Sequence, residues 1–148
     1  MAITPITAKR ELYSDFARDM RIHPLTKDLA RKTNEESVKE SIRNIIMTNK
    51  GERPFQPNFG CDIRKMLFDN FTQQTSLLVD KIIRSAIIRY EPRADVTDVR
   101  ISPVSKNLSQ RVAGKQLLFS DTFAVAIQFY VVNLIDPVSL ELIMTRIR

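Results

Sequence analysis

Leu77-Leu78-Val79-Asp80-Lys81-Ile82-Ile83-Arg84-Ser85-Ala86-Ile87-Ile88-Arg89-Tyr90-Glu91-Pro92-Arg93 carries the turning point of this chain. Up to Tyr90 the apolar residues recur at helical spacing. Pro92 then disfavours α geometry in Glu91, so the helix must end there. After Arg93 the period becomes two: Val99 and Ile101 alternate with Asp98, Arg100 and Ser102, as on a half-buried strand. The order is therefore helix first and sheet second. The stop itself sets a carboxylate and a guanidinium on either side of a rigid ring. Arg offers a planar fork of donors suited to a carboxylate or to backbone carbonyls. Two uses are open. Arg93 can reach a partner surface, or Glu91 and Arg93 can clamp each other within the chain.

Upstream, Thr72 opens the helix expected over residues 73–90. Asp80, Lys81, Arg84 and Arg89 leave only a narrow polar stripe, which predicts a central helix buried on more than one side, with Asp80 and Arg84 as an i, i+4 pair. Thr33-Asn34-Glu35-Glu36 has the spacing of a capping box. Val38, Ile42, Ile45 and Ile46 follow on one helical face, and Gly51 is the expected left-handed residue at the end of that helix. Asp62 can cap a short helix carrying Ile63, Met66, Leu67 and Phe68.

Between the helices, Gly51-Glu52-Arg53-Pro54-Phe55-Gln56-Pro57-Asn58-Phe59-Gly60 cannot be a regular element. Burying each Phe ring stabilises by roughly 1.5–3 kcal/mol. Phe55 and Phe59 therefore predict a packed, ordered loop, or two rings that form part of a partner pocket.

Downstream, Pro103, Ser105, Asn107 and Gly114 mark residues 103–116 as a hairpin loop. Leu117, Phe119, Phe123, Val125, Ile127, Phe129 and Val131 then share one parity, interrupted only by Asp121, and predict a long strand with one apolar face. In the last segment Val138, Leu140, Leu142 and Met144 alternate as a strand, whereas Leu140, Ile143, Met144 and Ile147 also fit a helix led by Asp136 and Pro137. The strand is preferred, joined to the one before by a short turn around Asp136-Pro137. The expected fold class is α+β: N-terminal helices packed on a small antiparallel sheet of about three strands. Residues 1–32, with Leu12, Tyr13 and Phe16 as isolated anchors, are expected to form an N-terminal arm, and residues 33–148 a single domain.

A chain of 148 residues fits one domain, and 43% apolar residues suffice for a core. Lys and Arg number 23 against 17 acids, a net charge of +6. These charges are dispersed and do not interleave with aromatics, which argues against a nucleic-acid platform. Cys61 and His23 are single, so the usual Cys and His zinc sets and an intrachain disulfide are excluded. Neither a cofactor nor a metal is expected. There is no apolar h-region near Met1 and no run of the roughly 20 apolar residues that span a bilayer, so synthesis in a reducing cytoplasm and no membrane partner are expected. Glycoside hydrolysis needs two carboxylates about 5–10 Å apart across a cleft. Glu52, Asp62, Asp69 and Glu91 are the candidates, but a cap explains Asp62 better, and Arg93 would lower the pKa of Glu91 and spoil it as a general acid.

Taken together, Asn49 to Asp62, the following Leu67-Phe68, the intervening helix, Tyr90-Glu91-Pro92-Arg93 and the two trailing strands resemble the baseplate wedge proteins that initiate the sheath of contractile phage tails. Counterparts occur in type VI secretion baseplates and phage-derived bacteriocins. The resemblance covers roughly residues 33–148, and Glu91, Pro92 and Arg93 occupy the positions of the family's Glu-Pro-Arg motif. It implies a structural protein, not an enzyme, although relatives have been labelled lysozymes and a lysozyme-like glycoside hydrolase of the tail is the alternative. It further implies a place in the virion tail baseplate, assembled in the host cytoplasm. The implied partners are the larger wedge subunits, met by Glu91, Pro92 and Arg93, and the first ring of sheath protein, met by the C-terminal strand with Leu140, Leu142 and Met144; Phe55 and Phe59 stay candidates for a partner pocket on their size alone.

Overall fold

The computed structural model describes residues 11–66, 72–103 and 122–145. Two short strands, β1 (Ser14–Phe16) and β2 (Arg31–Thr33), pair antiparallel and precede the helices. Three helices follow: α1 (Glu35–Met47), α2 (Ile63–Met66) and α3 (Gln73–Tyr90). The chain then forms an antiparallel sheet of β3 (Ala94–Pro103), β4 (Thr122–Val131) and β5 (Pro137–Thr145), in that order across the sheet. The α+β class expected from the pattern is the one found. Among the described residues no helix is long and apolar enough to cross a membrane.

The strand period builds the core. Val125, Ile127, Phe129 and Val131 on β4, with Val138, Leu140, Leu142 and Met144 on β5, are buried and pack against Val38, Ile42, Ile45 and Ile46 of α1 and Val79, Ile83 and Ile87 of α3. The intervening residues Gln128, Tyr130, Ser139, Glu141 and Ile143 face outward and are exposed. A two-residue register decides this face, and a slip of one would turn every inward side chain to water. The last segment is thus a strand, and its helical alternative is excluded. Its turn lies slightly earlier than expected: residues 132–136 make it, with Asn133 at φ 70°, and Pro137 already pairs with Tyr130.

Several local expectations need correction. The helix over 73–90 begins as expected, with the Thr72 hydroxyl accepting from the Thr75 amide at 3.2 Å. However, α3 is not surrounded, because Leu77, Leu78 and Ile88 lie exposed on its outer side. It packs on one face against α1 and the sheet, and apolar composition alone does not reveal that the other face is uncovered. The capping box does not form. Thr33 belongs to β2, and Asn34 is the N-cap of α1 at φ 49°. Its carboxamide oxygen instead accepts from the amides of Leu12, at 2.8 Å, and Tyr13, at 3.3 Å. The arm is thereby tied to the helix start. Helix α1 ends at Met47, and Gly51 takes its left-handed φ of 84° within the following loop. Asp62 precedes α2 and pairs with Lys65 at 3.5 Å. Leu67, Phe68, Leu117, Phe119 and most of the 103–116 loop lie outside the described residues.

The Asp80–Arg84 pair is present at 2.9 Å and has a further use. The β3–β4 register shifts between Val96 and Asp98, and Arg84 Nη1 donates to the Val96 carbonyl at 3.0 Å. One helix side chain thus satisfies the backbone at the bulge, which lets Val96 and Val99 both turn toward the core.

Candidate functional site: a charged corner and an open sheet edge

Glu91 ends α3. Its amide still donates to the Ile87 carbonyl at 2.7 Å, and Pro92 prevents a further helical turn. The Ala94 amide returns to the Glu91 carbonyl at 3.1 Å, so the chain reverses tightly into β3. This turn drives the Glu91 side chain inward, where the residue is 2% exposed. Arg93 meets it there, Nε to Oε1 at 2.5 Å and Nη2 to Oε2 at 2.9 Å. The Ser41 hydroxyl of α1 donates to the same carboxylate. Burial pushes the Glu91 carboxyl up, but the bonds from Arg93 and Ser41 and the Arg93 charge outweigh it. The net shift is below the usual carboxylate value. Arg93 is held more firmly protonated, chiefly by its bonds to Glu91.

The corner also gathers segments distant in sequence. The Arg93 guanidinium carbon lies 5.2 Å from the centre of the Tyr13 ring, and the Tyr13 hydroxyl donates to the Val132 carbonyl at 3.3 Å. The Val132 amide in turn donates to the Arg93 carbonyl at 2.9 Å. Arm, α1, the α3–β3 turn and the β4–β5 turn therefore meet around one ion pair. Of the two uses left open by the sequence, the clamp within the chain is the one formed. Pro92 is exposed beside it, and the Arg93 side chain keeps 35% of its surface.

The two phenylalanines part ways. Phe59 is partly buried, with its ring centre 4.9 Å from that of Tyr90. Phe55, expected to be packed, is fully exposed at φ 64°. The order of this loop comes from its backbone: Gly51 N–H to Pro57 O at 2.8 Å, and Phe59 N–H to Gln56 O at 3.0 Å. Gly60 seals the loop against α1. At φ 104° a Cβ there would stand 2.3 Å from the Thr48 carbonyl oxygen.

At the other end of the sheet, β5 pairs with β4 on one side, and no strand among the described residues covers its other side. The side chains of Leu140, Leu142 and Met144 are core and not surface. Only their main chain is on the edge; the exposed side chains there are Ser139, Glu141, Ile143 and Thr145.

Sequence reasoning missed Ser41, the place of Tyr13 at the corner and the bond from Arg84 to the Val96 carbonyl. Ser41 had a signal: it stands three residues after Val38, a hydroxyl on the edge of the apolar stripe of α1. No spacing pointed to Tyr13. As for hydrolytic chemistry, Glu52 accepts from the Asn49 amide at 2.9 Å, Asp62 is paired with Lys65, Glu91 is clamped by Arg93, and Asp69 lies outside the described residues.

Residues 32–120 match the family model described as baseplate wedge protein gp25. The chain is 44% identical over 94 residues to baseplate wedge protein gp25 of Enterobacteria phage T4, covering 64% of this chain and 70% of that protein. Its fold is similar to a chain in the cryo-EM structure of the anti-feeding prophage baseplate (TM-score 0.64, 27% identity, covering 84% of this chain and 89% of the other). It is also similar to the crystal structure of a Geobacter sulfurreducens protein described as a candidate tail lysozyme (TM-score 0.62, 26% identity, 77% and 92% covered). With the matched region running from β2 through α1, the Glu91–Arg93 corner and the whole of β3, this chain belongs to the family of the baseplate wedge protein gp25.

Proposed function

We propose that this chain is a structural component of a contractile tail baseplate, without enzymatic activity. It docks on the larger wedge subunits through the corner built by Glu91, Pro92 and Arg93. It offers the free edge of β5 to a strand of the first sheath ring. It assembles in the host cytoplasm and takes up neither cofactor nor nucleic acid. The observation that carries this reading is the uncovered edge of β5 on a strand whose apolar face is already locked into the core. An edge presents unpaired amides and carbonyls, which accept a strand from another chain. The corner supports docking because Glu91 is held at both oxygens while Pro92 and part of Arg93 face solvent. Against the hydrolase alternative, Glu52, Asp62 and Glu91 are each engaged by other groups of the chain.

A thiol footprint tests the edge. Cys61 is buried and its thiol is pushed up to about 12, chiefly by burial, which disfavours the thiolate that maleimide needs. Ile143→Cys then supplies one reactive site on the outer side of β5. It should label readily in the free protein and be protected in sheathed tails. Equal labelling in both would overturn the assignment of β5 to the sheath.

A further inference from the structure

The loop over residues 51–60 and the last turn of α3 form a second surface, separate from the corner. The Arg53 guanidinium carbon lies 4.6 Å from the centre of the Phe59 ring. Phe59 and Tyr90 are 4.9 Å apart with their planes at 55°. The Arg89 guanidinium carbon lies 5.4 Å from the Tyr90 ring centre. The Tyr90 hydroxyl donates to the Asn58 carbonyl and fastens the loop to the helix. Together with Phe55 and Pro57 these side chains line a concave surface that carries two guanidinium groups and no carboxylate. Glu52 and Asp15 line the adjoining concavity on the other side of Arg53, where Glu52 accepts from the Asn49 amide.

Phe55 stands at the rim of this surface. Its ring is fully exposed, and its backbone is held at φ 64°, where a bulky side chain is rarely found. A backbone outlier in an ordered loop points toward function, and a large ring held in water offers apolar area for a partner to bury. The charge around it is complementary to an acid. The aromatic content alone would also suit a single-stranded nucleic acid, but that requires open ring faces on which successive bases stack. Here Arg53 covers Phe59, Arg89 covers Tyr90, and the two rings cover each other, so only Phe55 is open.

We infer that Arg53, Phe55 and Arg89 form a receptor for a segment of another baseplate protein in which an Asp or Glu stands beside an apolar side chain. The carboxylate meets one of the two guanidinium groups while the apolar side chain packs on Phe55. This rests on the baseplate reading and adds to it a second contact, independent of the Glu91–Arg93 corner.

The experiment places the photo-crosslinker p-benzoylphenylalanine at position 55, Phe55→p-benzoylphenylalanine, in the full chain and irradiates purified tails. The expected product joins position 55 to a peptide of a different protein with an acidic residue at or next to the linked site. Adding Arg53→Gln and Arg89→Gln should lower the yield about tenfold, the weight of one lost charge-assisted contact. An unchanged melting temperature for that variant, measured on the free protein, shows that the loop is still in place. No adduct, an adduct to nucleic acid or to another copy of this chain, or a yield indifferent to the two arginines would each overturn the inference. Tails that lack this chain altogether would overturn the baseplate reading, and the inference with it. Tails that contain the chain without the adduct overturn the inference alone.

Discussion

Arg93 grips Glu91 at both carboxylate oxygens, at 2.5 and 2.9 Å, from the far side of a single proline. The pair has opposite environments at its two ends: the Glu91 side chain is 3% exposed and that of Arg93 35%. The carboxylate depends on the guanidinium far more than the reverse. A motif that invites a reading as a partner contact is thus first a structural bolt, and its outward-facing side is available only because the inward one is satisfied.

Arg93→Ala should therefore destabilise the free domain by about 2–3 kcal/mol, since a buried carboxylate loses its charged partner. The figure stays below that for a fully buried pair because Arg93 is partly in solvent. Urea unfolding of the isolated protein measures it. Loss of wedge-subunit capture with unchanged stability would instead assign Arg93 to the partner alone.

The same pair sets an acid limb. Glu91 has a folded-state pKa below its unfolded value, so its contribution is present above the unfolded carboxylate range, near ~4.3, and is lost as pH falls through the folded pKa. Glu91→Gln should lower stability at neutral pH by about 1–3 kcal/mol. It should also make stability fall less steeply on acidification from pH 5 downward. Parallel acid limbs for the two proteins would show that Glu91 does not carry this linkage.

The two loop glycines should behave differently. Gly60→Ala places a Cβ against the Thr48 carbonyl oxygen at a left-handed φ of 104° and should cost about 2–4 kcal/mol, from strain and overpacking together. Gly51→Ala, at φ 84° with open space around it, should cost about 1–2 kcal/mol. Thermal melts of the two variants give the order directly; equal losses would mean that the Thr48 contact relaxes freely.

The reason some of this was readable and some was not is local against distant. The start of α3 at Thr72, its end before Pro92, and the inward parity of β4 and β5 follow from neighbours in sequence, and the α+β order follows from them. The strand reading of the last segment was favoured by Val138, Leu140, Leu142 and Met144, and those four are the ones buried. Asn34 defeated the capping box because its carboxamide is used by Leu12 and Tyr13, about twenty residues away. Leu77, Leu78 and Ile88 read as core because a helix does not encode how many of its faces find a neighbour. Of the two readings open for Phe55, exposure excludes the packed one, because apolar size says nothing of which way a loop turns a ring. At the corner the residues were found, but the choice of Glu91 as the partner of Arg93 depended on the turn geometry and on Ser41 of a different helix.

We propose that the Glu91–Arg93 corner seats the wedge subunits while the edge of β5 awaits a sheath strand. A cryo-EM map of sheathed tails containing this chain tests it most directly. The expected map shows a fourth strand, from a sheath subunit, hydrogen-bonded alongside residues 137–145, with the wedge subunits seated at the Glu91–Arg93 corner. A β5 edge left bare to solvent, with the sheath seated elsewhere on the chain, would contradict it.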